Sequence, residues 1–137
     1  MIDPLSSEAR MDRMREEMDR LRRIVLSFVP DRYRRIVNPP LDFTREEGLG
    51  WAHDTAEKII ELMAPDAGVR APCPLCGDVS SPPYDDEQGF TFPVGLERHL
   101  LGTHNTTMCG VMYAVTGILR VRFRELHPGH YGPYGCD

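Results

Sequence analysis

Four residues in the middle of the chain have the types and spacing of a metal-binding set. Cys73 and Cys76 are separated by two residues and, after a gap of 22 residues, His99 and His104 are separated by four. Two thiolates and two imidazoles in such pairs are the ligands of a structural zinc site. Prolines and a glycine around the cysteines favour a tight turn that directs both sulfurs toward one point. We expect the histidines to follow on one face and in the loosened last turn of a helix, so that all four side chains bind one Zn²⁺ ion.

The segment between the two pairs resembles the two-cysteine, two-histidine zinc finger over residues 73–104. Phe90, Leu96 and His99 follow the order of that family, which is Phe, five residues, Leu, two residues, His. The resemblance implies a ββα fold in which Phe90 and Leu96 form the small core beneath the metal. The chain departs from the family before the first histidine, where about 12 residues after the second cysteine are usual. The surplus, residues 77–89, is predicted to form an enlarged acidic hairpin tip. Such an insertion need not weaken the site much, because the entropic cost of closing a loop grows only slowly with its length.

A Cys-x-x-Cys pair also occurs in enzymes. A redox-active pair would be expected to open a helix after a strand, and Pro74 with the loop behind it does not favour such a helix. A cytidine deaminase would need a glutamate two residues after its histidine ligand, and Thr55 stands two residues after His53. Four protein ligands would leave no open coordination position for catalysis. Without a recognisable nucleophile–base pair, carboxylate pair or phosphate-binding loop, we expect a protein that is not an enzyme.

The distribution of charge bears on the class of partner. The chain carries a formal net charge of −5, and the predicted finger region is acidic. A DNA-reading finger helix presents basic or amide side chains near its start, whereas this helix would begin with Val94 and Gly95. We therefore expect a protein partner, bound through the acidic finger loop or the first helix. The alternative is a DNA- or RNA-binding regulator that dimerises through the first helix. It would contact phosphates through one of two groups of arginines, either Arg32, Arg34 and Arg35 or Arg120, Arg122 and Arg124.

The clearest helix signal lies in residues 7–29. Apolar residues recur there at alternating intervals of three and four, which is the seam of a heptad repeat. Ser6 or Ser7 can cap the start of this helix, and Pro30 ends it. The pattern predicts an amphipathic helix packed on its own chain, with self-association through residues 11–28 as the alternative. The seam consists of Met11, Met14, Met18, Leu21, Val25 and Phe28.

Two further helices are predicted. Thr44 and Glu47 form a capping box at the start of the second helix, which is expected to end at Ala64-Pro65 and Gly68. The third is expected to run from a cap within residues 105–107 to about Leu126. Residues 118–124 alternate as in a strand, but helix is favoured because only the small finger hairpin could pair with a strand there. The buried stripe of the second helix is predicted to be Leu49, Ala52, Ala56, Ile59, Ile60 and Met63.

The remaining cysteines and histidines give weaker signals. Cys109 lies within an apolar helical pattern, and His127, His130 and Cys136 lie in a Gly/Pro-rich tail whose spacing matches no strong metal motif. No stretch approaches the roughly 18 apolar residues of a membrane span, and the start of the chain does not resemble a signal peptide. We therefore expect a reducing, cytoplasmic location. All but one of the 16 basic residues are arginine, which indicates a GC-rich genome, bacterial or phage.

These signals combine into one expected architecture. The fold is predicted to be mainly α, a small helical bundle with an embedded ββα-type zinc finger, in a chain of 137 residues. Its parts are an N-terminal helix and linker (1–38), a second helix (39–70), the finger (71–105), and a last helix with its tail (106–137). The expected function is that of a zinc-stabilised, non-enzymatic binding protein that acts through protein–protein interaction as an adaptor or modulator.

Overall fold

The computed structural model describes residues 7–79, 89–103 and 108–128 of the chain. Within these residues the fold is mainly helical, as predicted, with two short strands. The elements in chain order are α1 (Ser7–Ser27), α2 (Asp31–Val37), α3 (Arg45–Ala67), β1 (Arg70–Ala71), β2 (Phe90–Thr91), α4 (Val94–Leu101) and α5 (Gly110–Leu126). No helix in the described ranges combines the length and apolar character that crossing a membrane would require.

Helix α1 packs against α5, but its buried side differs from the predicted heptad seam. Leu26, near the end of α1, and Val29, just after it, are buried, whereas Leu21 and Phe28 of the seam keep 46% and 76% of their surface exposed. The helix packs on its own chain, as predicted, but only one stripe of it is covered and part of the seam is left exposed. Self-association through residues 11–28, the alternative, would use that exposed part.

The segment after Pro30 forms a short helix that the sequence did not predict. Tyr33 and Val37 on this helix, α2, are buried in the core. The guanidinium of Arg34 donates to the carbonyl oxygens of Leu26 (2.9 Å) and Val29 (3.0 Å). These carbonyls lie at and just beyond the end of α1, where helical partners are lacking, so Arg34 links the two helices.

The capping box of α3 is present as predicted. The N–H of Glu47 donates to Thr44 Oγ1 (3.2 Å), and the N–H of Thr44 donates to Glu47 Oε1 (2.9 Å). The latter bond lowers the pKa of the Glu47 carboxyl because it favours the charged form. The predicted termination at Gly68 is confirmed, because α3 ends at Ala67 with Gly68 as its C-cap. Ala64-Pro65 does not end the helix, which continues through Pro65. The chain then turns at Gly68, whose φ of +68° suits a residue without a side chain.

Strands β1 and β2 form a minimal antiparallel hairpin with Ala71 opposite Phe90. Helix α4 follows and ends at Leu101, short of the predicted end at residue 104. The reason is local: Gly102 adopts a φ of +76° and its N–H donates to Arg98 O (2.7 Å), which closes the helix. Residues 118–124 lie inside α5, so the predicted helix is confirmed there, although it begins at Gly110, later than predicted. The predicted cap in 105–107 lies outside the described residues.

The apolar core consists of two clusters. The larger joins α1, α2, α3, α4 and the start of α5, and it includes Ala56, Ile59, Leu96, Leu100 and Cys109. The smaller cluster holds the end of α5 against the segment before α3 and consists of Phe43, Leu119 and Phe123. Three cysteine sulfurs therefore lie in or beside the main core, at the junction of the hairpin with α4 and α5.

Candidate metal centre

A tight turn after β1 positions the first two sulfurs. The N–H of Gly77 donates to Cys73 O, and the N–H of Cys73 donates to Asp78 O, both at 2.9 Å. Gly77 has a φ of +78°, which a side chain would disfavour. The contact with Cys109 and burial raise the pKa of Cys73, and backbone hydrogen bonds from Cys76 and Leu75 act against that rise. Burial raises the pKa of Cys76, and a backbone hydrogen bond from Asp78 acts against it. The turn therefore directs donors at both sulfurs, as a thiolate site requires.

Helix α4 supplies the imidazole. Leu96 and Leu100 are fully buried and fix this helix against the core, which leaves His99 half-buried on the side of the hairpin. The ring of His99 stacks on Phe90 with centroids 4.3 Å apart and planes 20° from parallel. This stacking holds the imidazole with its Nε2 atom 3.2 Å from Cys76 Sγ.

A third sulfur comes from Cys109, at the N-cap position of α5. Its backbone N–H donates to His99 O (2.7 Å), so the end of α4 holds the start of α5 in place. Its Sγ atom lies 3.8 Å from Cys73 Sγ, and the residue is completely buried. A helix N-terminus favours a negative sulfur through the helix dipole and the unpaired N–H groups of the first turn.

Four potential ligand atoms thus converge. One atom each from Cys73, Cys76, His99 and Cys109 lies within 4.8 Å of the other three. Three thiols and one imidazole at such separations are compatible with a bound metal ion. The ligands come from the turn after β1, from α4 and from the start of α5, so an ion there would link three separate segments.

The electrostatics of the three sulfurs favour a cation among them. The contact with Cys109 and burial raise the pKa of the Cys73 thiol, whereas the same contact lowers the pKa of Cys109. Burial raises the pKa of Cys76 to about 11. Neighbouring sulfurs in a buried site cannot all ionise unless a positive charge offsets their repulsion. A divalent ion supplies that charge, and its binding would release thiol protons.

The predicted ligand set and the observed cluster share three members. Cys73, Cys76 and His99 are brought together, whereas His104 lies outside the described residues, beyond the end of α4. Sequence reasoning missed Cys109, because it lies within an apolar pattern that reads as helix. A signal existed, however: Cys109 is the first cysteine after the two histidines, and its place just before a helix start suits a thiolate.

The two predicted finger-core residues lie beside the cluster. Leu96 of α4 is fully buried, and Phe90 of β2 stacks on the imidazole of His99. Their neighbours differ from those of an isolated finger, because Leu96 belongs to the same core cluster as Ile59 of α3. The hairpin and α4 are therefore part of the helical bundle's core.

The first group of predicted partner-binding arginines is largely used within the fold. Arg32 donates to Leu62 O (3.0 Å), forms an ion pair with Asp66 (3.8 Å) and lies 5.8 Å from the centroid of the Tyr33 ring. Arg34 bonds to carbonyls of α1, as described above, and Arg35 is exposed on α2.

The second group lies along α5. Arg122 donates to Leu41 O (2.6 Å) and pairs with Glu125 (3.1 Å). Arg124 is exposed and Arg120 is half-buried. At the end of α5 the His127 ring contacts Phe43 and Phe123, and its Nε2 lies 3.1 Å from Phe43 O. The other two residues of the tail considered for a second metal, His130 and Cys136, lie outside the described residues.

Comparison with known proteins gave no match among protein families, curated proteins or solved structures. No known protein therefore supports the resemblance to a two-cysteine, two-histidine finger. What supports a metal site is the geometry of the four side chains.

Proposed function

We propose that Cys73, Cys76, His99 and Cys109 bind one zinc ion. Structural zinc sites commonly use three cysteines and one histidine in a tetrahedron. Zinc–sulfur bonds of about 2.3 Å place two sulfurs of a tetrahedron about 3.8 Å apart, and Cys73 Sγ and Cys109 Sγ are separated by 3.8 Å. This agreement of separation and ligand type is the observation that carries the proposal.

The role of the ion is structural. With four protein ligands no coordination position stays open for water or substrate, which is the usual distinction between structural and catalytic zinc. The surrounding elements also need such a crosslink, because two-residue strands and an eight-residue helix bury little surface alone. The ion would fix the hairpin, α4 and the start of α5 together, and this argument supports a non-enzymatic protein.

The biochemical function that we propose is protein binding through the uncovered side of α1. Met14, Leu21, Ile24 and Phe28 keep between 46% and 76% of their surface exposed. Met14, Leu21 and Ile24 are spaced by seven and three residues, so they lie on one side of α1, and Phe28 follows directly after the end of the helix. An apolar stripe of this kind is typical of a surface that pairs with an apolar helix of another protein.

The partner could be a second copy of the chain or a different protein, and the seven-residue spacing suits either. Nucleic acid is disfavoured, because Arg32, Arg34 and Arg122 already donate to main-chain oxygens of this fold.

Metal analysis combined with native mass spectrometry tests the zinc part of the proposal. We expect one zinc per chain in protein purified without added metal, and the same spectrum reports the number of subunits. Zinc at less than about half an equivalent after reconstitution under reducing conditions would contradict the proposal, since such sites bind zinc with roughly 10–16 kcal/mol.

Site-specific photocrosslinking in the producing cells tests the binding surface. A photoreactive residue at position 24, on the stripe, should give protein adducts whose peptides map to an apolar helix. The matched control is position 57, which is exposed on α3. Equal crosslinking from positions 24 and 57, or retardation of DNA or RNA by the pure protein at low salt, would count against protein binding through α1.

A further inference from the structure

A second feature of the molecule lies apart from the metal ligands and from the exposed stripe of α1. A cavity of about 440 Å³ opens between α3, α4 and α5. Its apolar wall is formed by Leu49, Ala52, Leu101 and Met108. Small-molecule sites have volumes of roughly 300–1,000 Å³ and combine such walls with a few polar groups. The size and lining of this cavity therefore suit a small organic molecule.

Arg120 is the polar group that calls for an explanation. It lies on the cavity wall from the middle of α5 and is half-buried. Its Nε atom is buried and has no hydrogen-bond partner among the described residues. The Nε atoms of Arg22 and Arg45 are also buried without a partner in the described part of the chain. Of these three arginines, only Arg120 lines this cavity. A buried donor without a partner is unfavourable, so the unpaired Nε of Arg120 invites an acceptor from a ligand.

The charges around the cavity favour an anion. Arg98 on α4 and His53 on α3 lie on the same lining as Arg120, and Glu97 is the one acid among the lining residues. In the described part of the chain, Glu97 forms no ion pair with either arginine. Two guanidinium groups thus border one apolar cavity with a single acid nearby. A carboxylate or phosphate would satisfy them with charge-assisted bonds.

We propose that this cavity binds a small organic anion, that is, a carboxylate or monophosphate attached to an apolar body. Arg120 binds the anionic group from the α5 side and Arg98 from the α4 side. The apolar body packs against Leu49, Leu101 and Met108. The ligand occupies no metal position and needs no exposed residue of α1, so the proposal stands independently of the zinc site and of the protein-binding surface.

Titration of the full-length protein by two-dimensional amide NMR at low salt provides the test. The probes are phenyl phosphate, phenylacetate, inorganic phosphate and the neutral benzyl alcohol. We expect saturable shifts from the two aromatic anions at the amides of residues 98–103 and 116–120, weaker shifts from inorganic phosphate and none from benzyl alcohol. Comparison of phenyl phosphate with phenylacetate identifies the preferred anionic group.

Three variants and one control sharpen the test. Arg120→Gln and Arg98→Gln should each weaken binding about tenfold or more, as expected when one charge-assisted bond is lost. Ala52→Leu should block the cavity while leaving its charges unchanged. Arg13→Gln removes the same charge from an exposed position on α1 and should have no effect.

Three outcomes would overturn the proposal. The first is that no probe gives saturable shifts in the wild-type protein. The second is equal binding by Arg98→Gln, an exposed and therefore safely folded variant, and by the Arg13→Gln control. The third is binding of benzyl alcohol as tight as that of the anions.

Discussion

Two regions of this molecule differ in the length of their elements and in the crosslink that we propose for one of them. The metal region comprises β1, β2, α4 and the first turn of α5, around Cys73, Cys76, His99 and Cys109. The helical region comprises α1, α2, α3 and the rest of α5. Elements of the metal region are two to eight residues long, whereas α1 and α3 have 21 and 23 residues. Short elements need a crosslink, while long amphipathic helices are stabilised by the apolar surface that they bury.

The comparison shows that different stabilising forces do not make separate folding units. Leu96 and Leu100 of the metal region pack in the same cluster as Ala56 and Ile59 of the helical region. Cys109 belongs to both regions, because it is a candidate ligand and also the N-cap of α5. A disturbance at the metal is therefore expected to spread into the helices, whereas a change far from the metal should remain local.

The largest expected effect separates the two candidate ligand sets. Cys109→Ser should lower zinc affinity roughly hundredfold or more and lower the melting temperature, because a ligand and the link between α4 and α5 are both weakened. His104→Gln should leave both quantities nearly unchanged. Competition with a chromophoric chelator measures the affinity, and circular dichroism measures the melting transition.

Cys136→Ser is the matched control for the loss of one thiol, and we expect zinc affinity like that of the wild type. The opposite pattern, in which His104→Gln loses zinc and Cys109→Ser retains it, would establish the two-histidine set predicted from the sequence. The metal would then link only two segments, and the difference between the regions would be sharper.

An intermediate effect is expected in the smaller core cluster at the end of α5, which contains none of the candidate ligands. Phe123 is buried and stacks on Phe43 with ring centroids 6.2 Å apart. Phe123→Ala should lower the free energy of unfolding by about 3–5 kcal/mol, through lost burial and the cavity left behind. Urea denaturation measures this change, and the zinc affinity of the folded variant should stay at the wild-type value.

The control for Phe123→Ala lies on the same helix. Tyr113 is 66% exposed, so Tyr113→Ala should change stability by no more than about 0.5 kcal/mol. Loss of zinc from Phe123→Ala while the protein is still folded would show that the end of α5 and the metal are coupled. That result would contradict the expectation that a change far from the metal remains local.

The smallest effect concerns the start of α3. Thr44→Ala removes the hydroxyl that accepts the N–H of Glu47, and we expect a loss of about 1 kcal/mol of stability. Thr44→Ser keeps an accepting hydroxyl and should recover most of that loss. Chemical denaturation of the three proteins in parallel measures the difference. A loss in Thr44→Ser equal to that in Thr44→Ala would indicate that the methyl group, rather than the cap, matters here.

Local signals predicted the helices well. The cap at Thr44 and Glu47 and the helical state of residues 118–124 follow from short stretches of sequence, and the structure agrees. The short helix α2 was missed, because it is held by tertiary bonds from Arg34 to the end of α1 rather than by a pattern of its own. The sequence left open whether the seam of α1 packs on its own chain or on a partner, since periodicity shows that a helix has an apolar side but not which stripe is covered.

The sequence by itself predicted a metal site and supplied three of the four residues that converge, because a Cys-x-x-Cys turn and a histidine on a following helix are short-range features. Only the tertiary structure decided that Cys109 lies with them. Its position depends on the end of α4 and on the hydrogen bond that the N–H of Cys109 donates to His99 O, ten positions earlier in the chain. Short spacings constrain geometry through the backbone alone, whereas a contact across a chain reversal depends on how the helices pack.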